Sequence, residues 1–135
     1  MKFLFQLINL RFIPYFPDLG LLLLRLIGGG VMIYAHGWEK LTNFSSKAAQ
    51  FPDPLGLGST TSLGLTIFAE VFCAFLLILG IGTRFAAAAL SITMSVAFFI
   101  VHKGSIAEGE LALMFLTIYL TLFLSGGGKY ALYRD

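Results

Sequence analysis

The chain has 135 residues, of which 58% are hydrophobic and 12% charged, with a formal net charge of +2 and a mean hydropathy of +0.89. Soluble domains carry about 25% charged residues. Nine basic and seven acidic side chains are too few to build a water-soluble surface, which excludes a soluble cytosolic enzyme and a disordered chain alike. A net charge of +2 is too small to point to nucleic acid. The single cysteine, Cys73, excludes an intrachain disulfide, a CxxC redox pair and a structural thiolate zinc site.

Residues 1–17 come first. Lys2, Gln6 and Asn9 fall on one face of a helix, with Phe5, Leu7, Ile8 and Phe12 on the others, a pattern for a segment lying in the membrane interface. Gln6 and Asn9 interrupt the apolar stretch and no small-x-small site follows, which argues against a signal peptide. Pro14 and Pro17 end this segment. Residues 18–135 then read as one domain with four apolar spans: Leu19–Ala35, Leu63–Ile81, Phe85–Val101 and Ala107–Ser125. Each is close to the roughly 17–25 residues needed to cross a hydrocarbon core. Backbone groups in lipid must pair internally, so each span is expected to be a helix. The links Gly82–Arg84 and His102–Ile106 are short enough to force antiparallel neighbours. The expected fold class is therefore all-α: a polytopic, up-down four-helix membrane bundle preceded by a short interfacial N-terminal helix.

Lys2, Arg11, Arg84, Lys129 and Arg134 lie on one side of this topology, against Lys40, Lys47 and Lys103 on the other. The positive-inside rule then places both termini in the cytoplasm. The one long link, residues 36–61, carries Phe44, Phe51, Leu55 and Leu57 among Ser, Pro and Gly. Loops of this length are uncommon without a role. Its apolar content suggests a lid folded onto the outer mouth of the bundle, or else an interfacial segment that gates nothing.

The polar residues within the spans carry the chemistry, because an ionisable group at membrane depth needs a partner and an interior-facing position. Arg25 shares a helix face with Gly28, Gly29, Met32 and His36, and Lys40 continues the line if the helix extends outward. Glu70 shares one with Thr66, Cys73 and Leu77. Ser91, Ser95, Phe98 and His102 repeat the spacing in the third span, and Glu110, Met114, Thr117 and Thr121 in the fourth. Four such stripes suit one shared interior. With a rise of about 1.5 Å per residue, Arg25 lies about 9 Å from the cytoplasmic edge and Glu70 about 13 Å from the opposite one. In a core of about 30 Å their levels differ by about 8 Å, which two long side chains can close. Arg25–Glu70 is therefore the first expected pair, whether it serves function or only fixes helix register. His36, Lys40, His102, Glu108 and Glu110 gather at the outer mouth, and Arg84 reads as a topology anchor. His36 and His102 at helix ends are either solvated interfacial residues or ligand contacts. No metal site is expected, since His36, His102 and Glu110 come from separate elements without local ligand spacing.

Several stretches taken together resemble the DoxX family: LLLLRLIGGGVMIYAHGWEKL, FPDPLGLG, FAEVFCAFLLILGIGTRFAA, FFIVHKG and GELALMFLTIYLTLFLSGGGKYALYRD. The resemblance covers about residues 18–135. It rests on Arg25, His36, Gly37, Lys40, Glu70, Gly82, Arg84, His102 and Glu110 occurring in order. It implies a small four-helix protein of the bacterial inner membrane, akin to the DoxD subunit of thiosulfate:quinone oxidoreductase. It also implies an association with membrane quinone and with thiol or sulfur redox chemistry, or a role as an accessory subunit organising partner enzymes. No flavin, haem or iron–sulfur motif accompanies it.

The expected role is support of quinone-linked redox chemistry, as a small oxidoreductase subunit whose electrons come from a partner. A quinone headgroup would enter the bundle between lipid-facing helices. Arg25, Lys40, His36 or His102 would hydrogen-bond it, Glu70 or Glu110 would pass protons, and Trp38, Phe72 and Phe98 would cover the ring. Two alternatives stand beside this: a scaffold without chemistry that organises partner proteins, and a pathway for a small solute or protons through the polar stripes. Four thin helices with aromatic flanks also suit a homo-oligomer in contact with membrane lipid.

Overall fold

The computed structural model describes residues 1–135. The short helix α1 spans Lys2–Ile8 and buries no residue. Four long apolar helices follow: α2, Pro17–Thr42; α4, Ser59–Leu79; α5, Thr83–Val101; and α6, Ile106–Ser125. A single turn, α3, Phe44–Lys47, lies in the link between α2 and α4. There are no strands. Packing runs α2 to α4, α4 to α5, α5 to α6 and α6 back to α2, an up-down ring with both chain termini at one end and the long link at the other.

Local sequence explains where these helices begin and end. Pro17 opens α2, where a missing N–H is no loss, and Asp18 sits in the positive first turn. Gly80 closes α4 in the left-handed conformation, φ 75°, with the Ile81 N–H donating back to the Leu76 carbonyl. α2 ends at Thr42 rather than at Ala35, and α4 starts at Ser59 rather than Leu63. The link is accordingly shorter than residues 36–61, and its first seven positions continue the helix.

Only 28 of 135 residues are buried, while Leu23, Ile27, Phe72, Phe75 and Ile92 stay exposed on the long helices. Aqueous solvent would not tolerate that surface, but acyl chains would; the chain is a multi-pass membrane protein. The interior is built from small residues and a few large ones. Ala86 and Ala87 bring α5 close to its neighbours, and a Cβ on Gly29 would sit 2.7 Å from the Ala74 carbonyl oxygen. Tyr119 is fully buried and donates its hydroxyl to the Gly28 carbonyl oxygen at 2.8 Å.

The end carrying the termini is tied together by backbone groups. The Lys129 N–H donates to the Asp18 carboxylate, the Leu132 and Tyr133 N–H groups to the Leu79 and Gly80 carbonyls, and the Arg84 N–H to the Asp135 carboxylate. Arg84 also donates from Nε to the Phe123 carbonyl at 2.8 Å and lies over the Phe123 ring.

Arg25 belongs to this end. Its guanidinium is 1% exposed and donates to the carbonyls of Leu77 (3.0 Å), Ile78 (2.9 Å) and Gly127 (3.3 Å). The expected pair with Glu70 does not form. In the antiparallel register Gly37, not Arg25, lies against Glu70. Twelve residues of helix rise separate those two levels, roughly 18 Å. Arg25 instead caps the C-terminal end of α4, where the last carbonyls run out of regular helical N–H partners and the dipole favours a cation.

Candidate functional site

At the end carrying the long link, every long helix departs from α geometry. α2 has a π-helical turn at Ile33–Gly37, α4 at Phe68–Cys73 and α5 at Val96–Val101, and α6 is non-helical at Gly109. π-turns are rare and concentrate at functional sites. Here they carry His36 and Glu70 and deliver His102 at the end of the third.

The distorted turns surround a cavity of about 480 Å³. α2 contributes Met32, His36 and Lys40; α4 contributes Leu65, Thr66 and Glu70. Ile92 and Val96 of α5, His102 beyond it, and Leu111 and Phe115 of α6 complete the walls. Phe51, Pro54, Leu55 and Leu57 of the link line it as well, so this segment folds back over the bundle. The Asp53 carboxylate accepts from the N–H groups of Leu57 and Gly58 and from the Ser62 hydroxyl, and so pins the link to the first turn of α4. Those bonds, led by that from Ser62, hold its carboxyl below the usual carboxylate range.

One ion pair stands in the wall. Lys40 Nζ donates to Glu70 Oε2 at 2.8 Å, and the Glu70 side chain is 6% exposed. The two helices meet closely beside it, since a Cβ on Gly37 would lie 2.7 Å from the Glu70 carbonyl oxygen. His36 is half-buried and meets Phe115 edge-on, with centroids 5.8 Å apart. His102 is half-buried too, and Glu108 lies exposed at the rim.

His36, Lys40, Glu70 and His102 thus share one cavity, and the other candidates lie elsewhere. Arg25 is at the far end of the bundle. Trp38 is exposed on the outside of α2, and Phe72 is exposed on α4, stacked on Phe68 at 5.4 Å. Phe98 is buried beneath Gly109, where a Cβ would lie 2.7 Å from its ring. Glu110, Met114, Thr117 and Thr121 all face outward. The interior face of α6 is the apolar one through Ala112, Phe115, Leu116, Tyr119 and Leu122. The expected fourth stripe is corrected accordingly: Thr117 and Thr121 satisfy their hydroxyls on carbonyls of their own helix. Deeper in the bundle, Cys73, Leu77, Leu90 and Tyr119 are fully buried.

Asp53 and Phe115 were not among the sequence candidates. Asp53 stands between two prolines in a turn-rich stretch, the composition in which Asp side chains bond nearby backbone. Phe115 carries no signal that separates it from other span phenylalanines.

The DoxX family model matches residues 20–103. Two uncharacterised proteins of Haemophilus influenzae are similar to the chain. One is 32% identical over 90% of this chain and 91% of its own length. The other is 31% identical over 70% of this chain and 67% of its own. No solved structure matches significantly.

Proposed function

The chain belongs to the DoxX family, and from the chemistry of its cavity we propose that it supports quinone-linked redox reactions in the bacterial inner membrane, as a small subunit beside an oxidoreductase partner. The observation that carries this reading is the Lys40–Glu70 pair set in the wall of a mostly apolar cavity. Buried ion pairs in a membrane interior are costly and point to function by default. The cavity suits a quinone headgroup: its walls are apolar where a ring would lie and polar where carbonyl oxygens need donors. A bound quinone supplies two-electron chemistry in which protons accompany the electrons.

The residues around it bind and manage protons. An ammonium has three donors, and the Glu70 bond at 2.8 Å uses one of those on Lys40, leaving others to turn toward a ligand oxygen. His36 and His102 each offer a ring N–H from opposite walls. Glu70 holds Lys40 in place and is the carboxylate positioned to relay a proton. The partner supplies the electrons.

Mass spectrometry of molecules retained after mild detergent extraction tests the reading. A quinone should copurify with the wild-type chain and be lost from Lys40→Met and Glu70→Gln. Recovery of phospholipid alone, with no binding of added quinone, would overturn it.

A second reading, a scaffold that organises partners or copies of itself, has one observation in its favour. Glu110, Thr117 and Thr121 form a polar stripe on the outward face of α6. Cross-linking through a cysteine placed at Glu110 would report such a contact.

A further inference from the structure

We propose that the cavity is loaded sideways from the bilayer, through the gap between α4 and α5, and that its ligand carries an apolar tail leaving between Leu65 and Ile92. This rests on the cavity being the ligand site.

Three sides of the cavity are closed by named contacts. Between α2 and α4, Gly37 lies against the Glu70 backbone and Lys40 bridges to Glu70. Between α5 and α6, Gly109 is packed under Phe98 and the His102 Cβ. Between α6 and α2, His36 meets Phe115, and Tyr119 bonds the Gly28 carbonyl deeper down. The fourth side differs. The packing of α4 on α5 runs through its later half, from Phe68 to Leu79, while its first half, Ser59–Ile67, packs on the last turns of α2. Leu65 and Ile92 line the cavity and yet are 53% and 66% exposed. Leu111 and Val101 also line the cavity and are 56% and 43% exposed, but Gly109 against Phe98 and His102 closes the α5–α6 seam beside them; Leu65 and Ile92 mark an opening because the first half of α4 does not pack on α5.

Depth assigns the ligand class. Leu65 lies six residues into α4 and Ile92 nine before the end of α5. At about 1.5 Å per residue these are roughly 9 and 14 Å from the helix ends, within hydrocarbon rather than headgroups. The water-facing mouth, by contrast, is roofed by Phe51, Pro54 and Leu55, on a link that Asp53 pins down. A water-soluble ligand would meet the roof. An amphiphile already dissolved in the bilayer meets the gap, and its tail stays in lipid while its head reaches Lys40 and Glu70.

The test uses the full chain in lipid nanodiscs and two probes: a dimethoxy-methyl-benzoquinone bearing a decyl tail, and the same head without a tail. Wild type should bind the tailed probe at least tenfold more tightly. Leu65→Trp with Ile92→Trp should weaken or slow binding of the tailed probe at least tenfold and abolish its advantage over the tail-less probe. A second measurement needs no variant: a photoreactive group on the tail should label peptides containing Leu65 or Ile92. Equal affinity of both probes, or labelling confined to the α2–α6 side, overturns the lateral route while leaving the cavity reading intact. Binding of neither probe overturns the quinone reading, and this assignment with it.

Discussion

Buried Arg25 and half-buried Lys40 have separate duties, and double-mutant cycles read that separation directly. Arg25 donates to three carbonyls, two of them at 3.0 Å or less. Hydrogen bonds to a charged group contribute about 1.5–3 kcal/mol each, so the two shorter bonds alone put the cost of Arg25→Met at about 3–6 kcal/mol. Lys40→Met leaves the Glu70 carboxylate buried without its partner. Orphaning one member of such a pair costs about 3 kcal/mol. Glu70→Gln in the same chain removes the stranded charge and should recover part of that loss, a coupling of about 1–3 kcal/mol. Arg25 and Glu70 lie too far apart to couple, so Arg25→Met with Glu70→Gln should be additive within about 0.5 kcal/mol. Unfolding by sodium dodecyl sulfate in mixed micelles, followed by far-UV circular dichroism, gives the free energies of all six chains in the two cycles. Cys73 is fully buried and is the only thiol, so its labelling by maleimide provides a second, independent readout. Coupling above about 1 kcal/mol between positions 25 and 70, or none between 40 and 70, would refute the assignment of partners.

Three further outcomes are expected. Gly80→Ala introduces a Cβ 2.5 Å from Arg25 Nη2 and 2.6 Å from the Ala131 Cα, at φ 75°. The left-handed backbone alone costs about 1–2 kcal/mol, so the loss measured in the same unfolding assay should exceed that. Thr117→Leu, on the outward face of α6, should change stability by no more than about 0.5 kcal/mol. Because the Asp53 pKa is lowered in the fold, its contribution to ordering the link is complete above the free-carboxyl pKa of about 3.9. That contribution is lost as pH falls through the lower folded value. A spin label at position 55, inside the segment that Asp53 holds, should therefore keep one mobility from pH 7 to 5 and loosen in stronger acid, and Asp53→Asn should loosen it already at pH 7.

Much of this was legible in the sequence, and the remainder turns on register. Four apolar runs with short links leave few alternatives to an antiparallel bundle, because lipid offers the backbone no other partner. The interior stripe through Arg25, Gly28, Gly29 and Met32 is buried along its length, as helical periodicity implies. The ion pair was not readable. Hydropathy falls off at Ala35, but α2 continues to Thr42, and that extension is what brings Lys40 down to Glu70. Arg25 then meets the end of α4, whose terminal carbonyls make a binding site that no side-chain pattern displays. The α6 stripe misled for a different reason. Threonine satisfies its hydroxyl on its own helix, so its spacing does not report which way a face points.

The ties among the chain ends have a mechanical consequence. Backbone and arginine bonds clamp one extremity of the ring, while the other is held by side-chain contacts across π-helical turns, chiefly the Lys40–Glu70 bridge, and by the proline-flanked Asp53 staple. The molecule is built like tweezers, firm at the pivot and compliant at the tips. Amide exchange should therefore slow steadily from the first turns of α4 toward Leu79, and widening the tips to admit or release a guest would leave the pivot undisturbed.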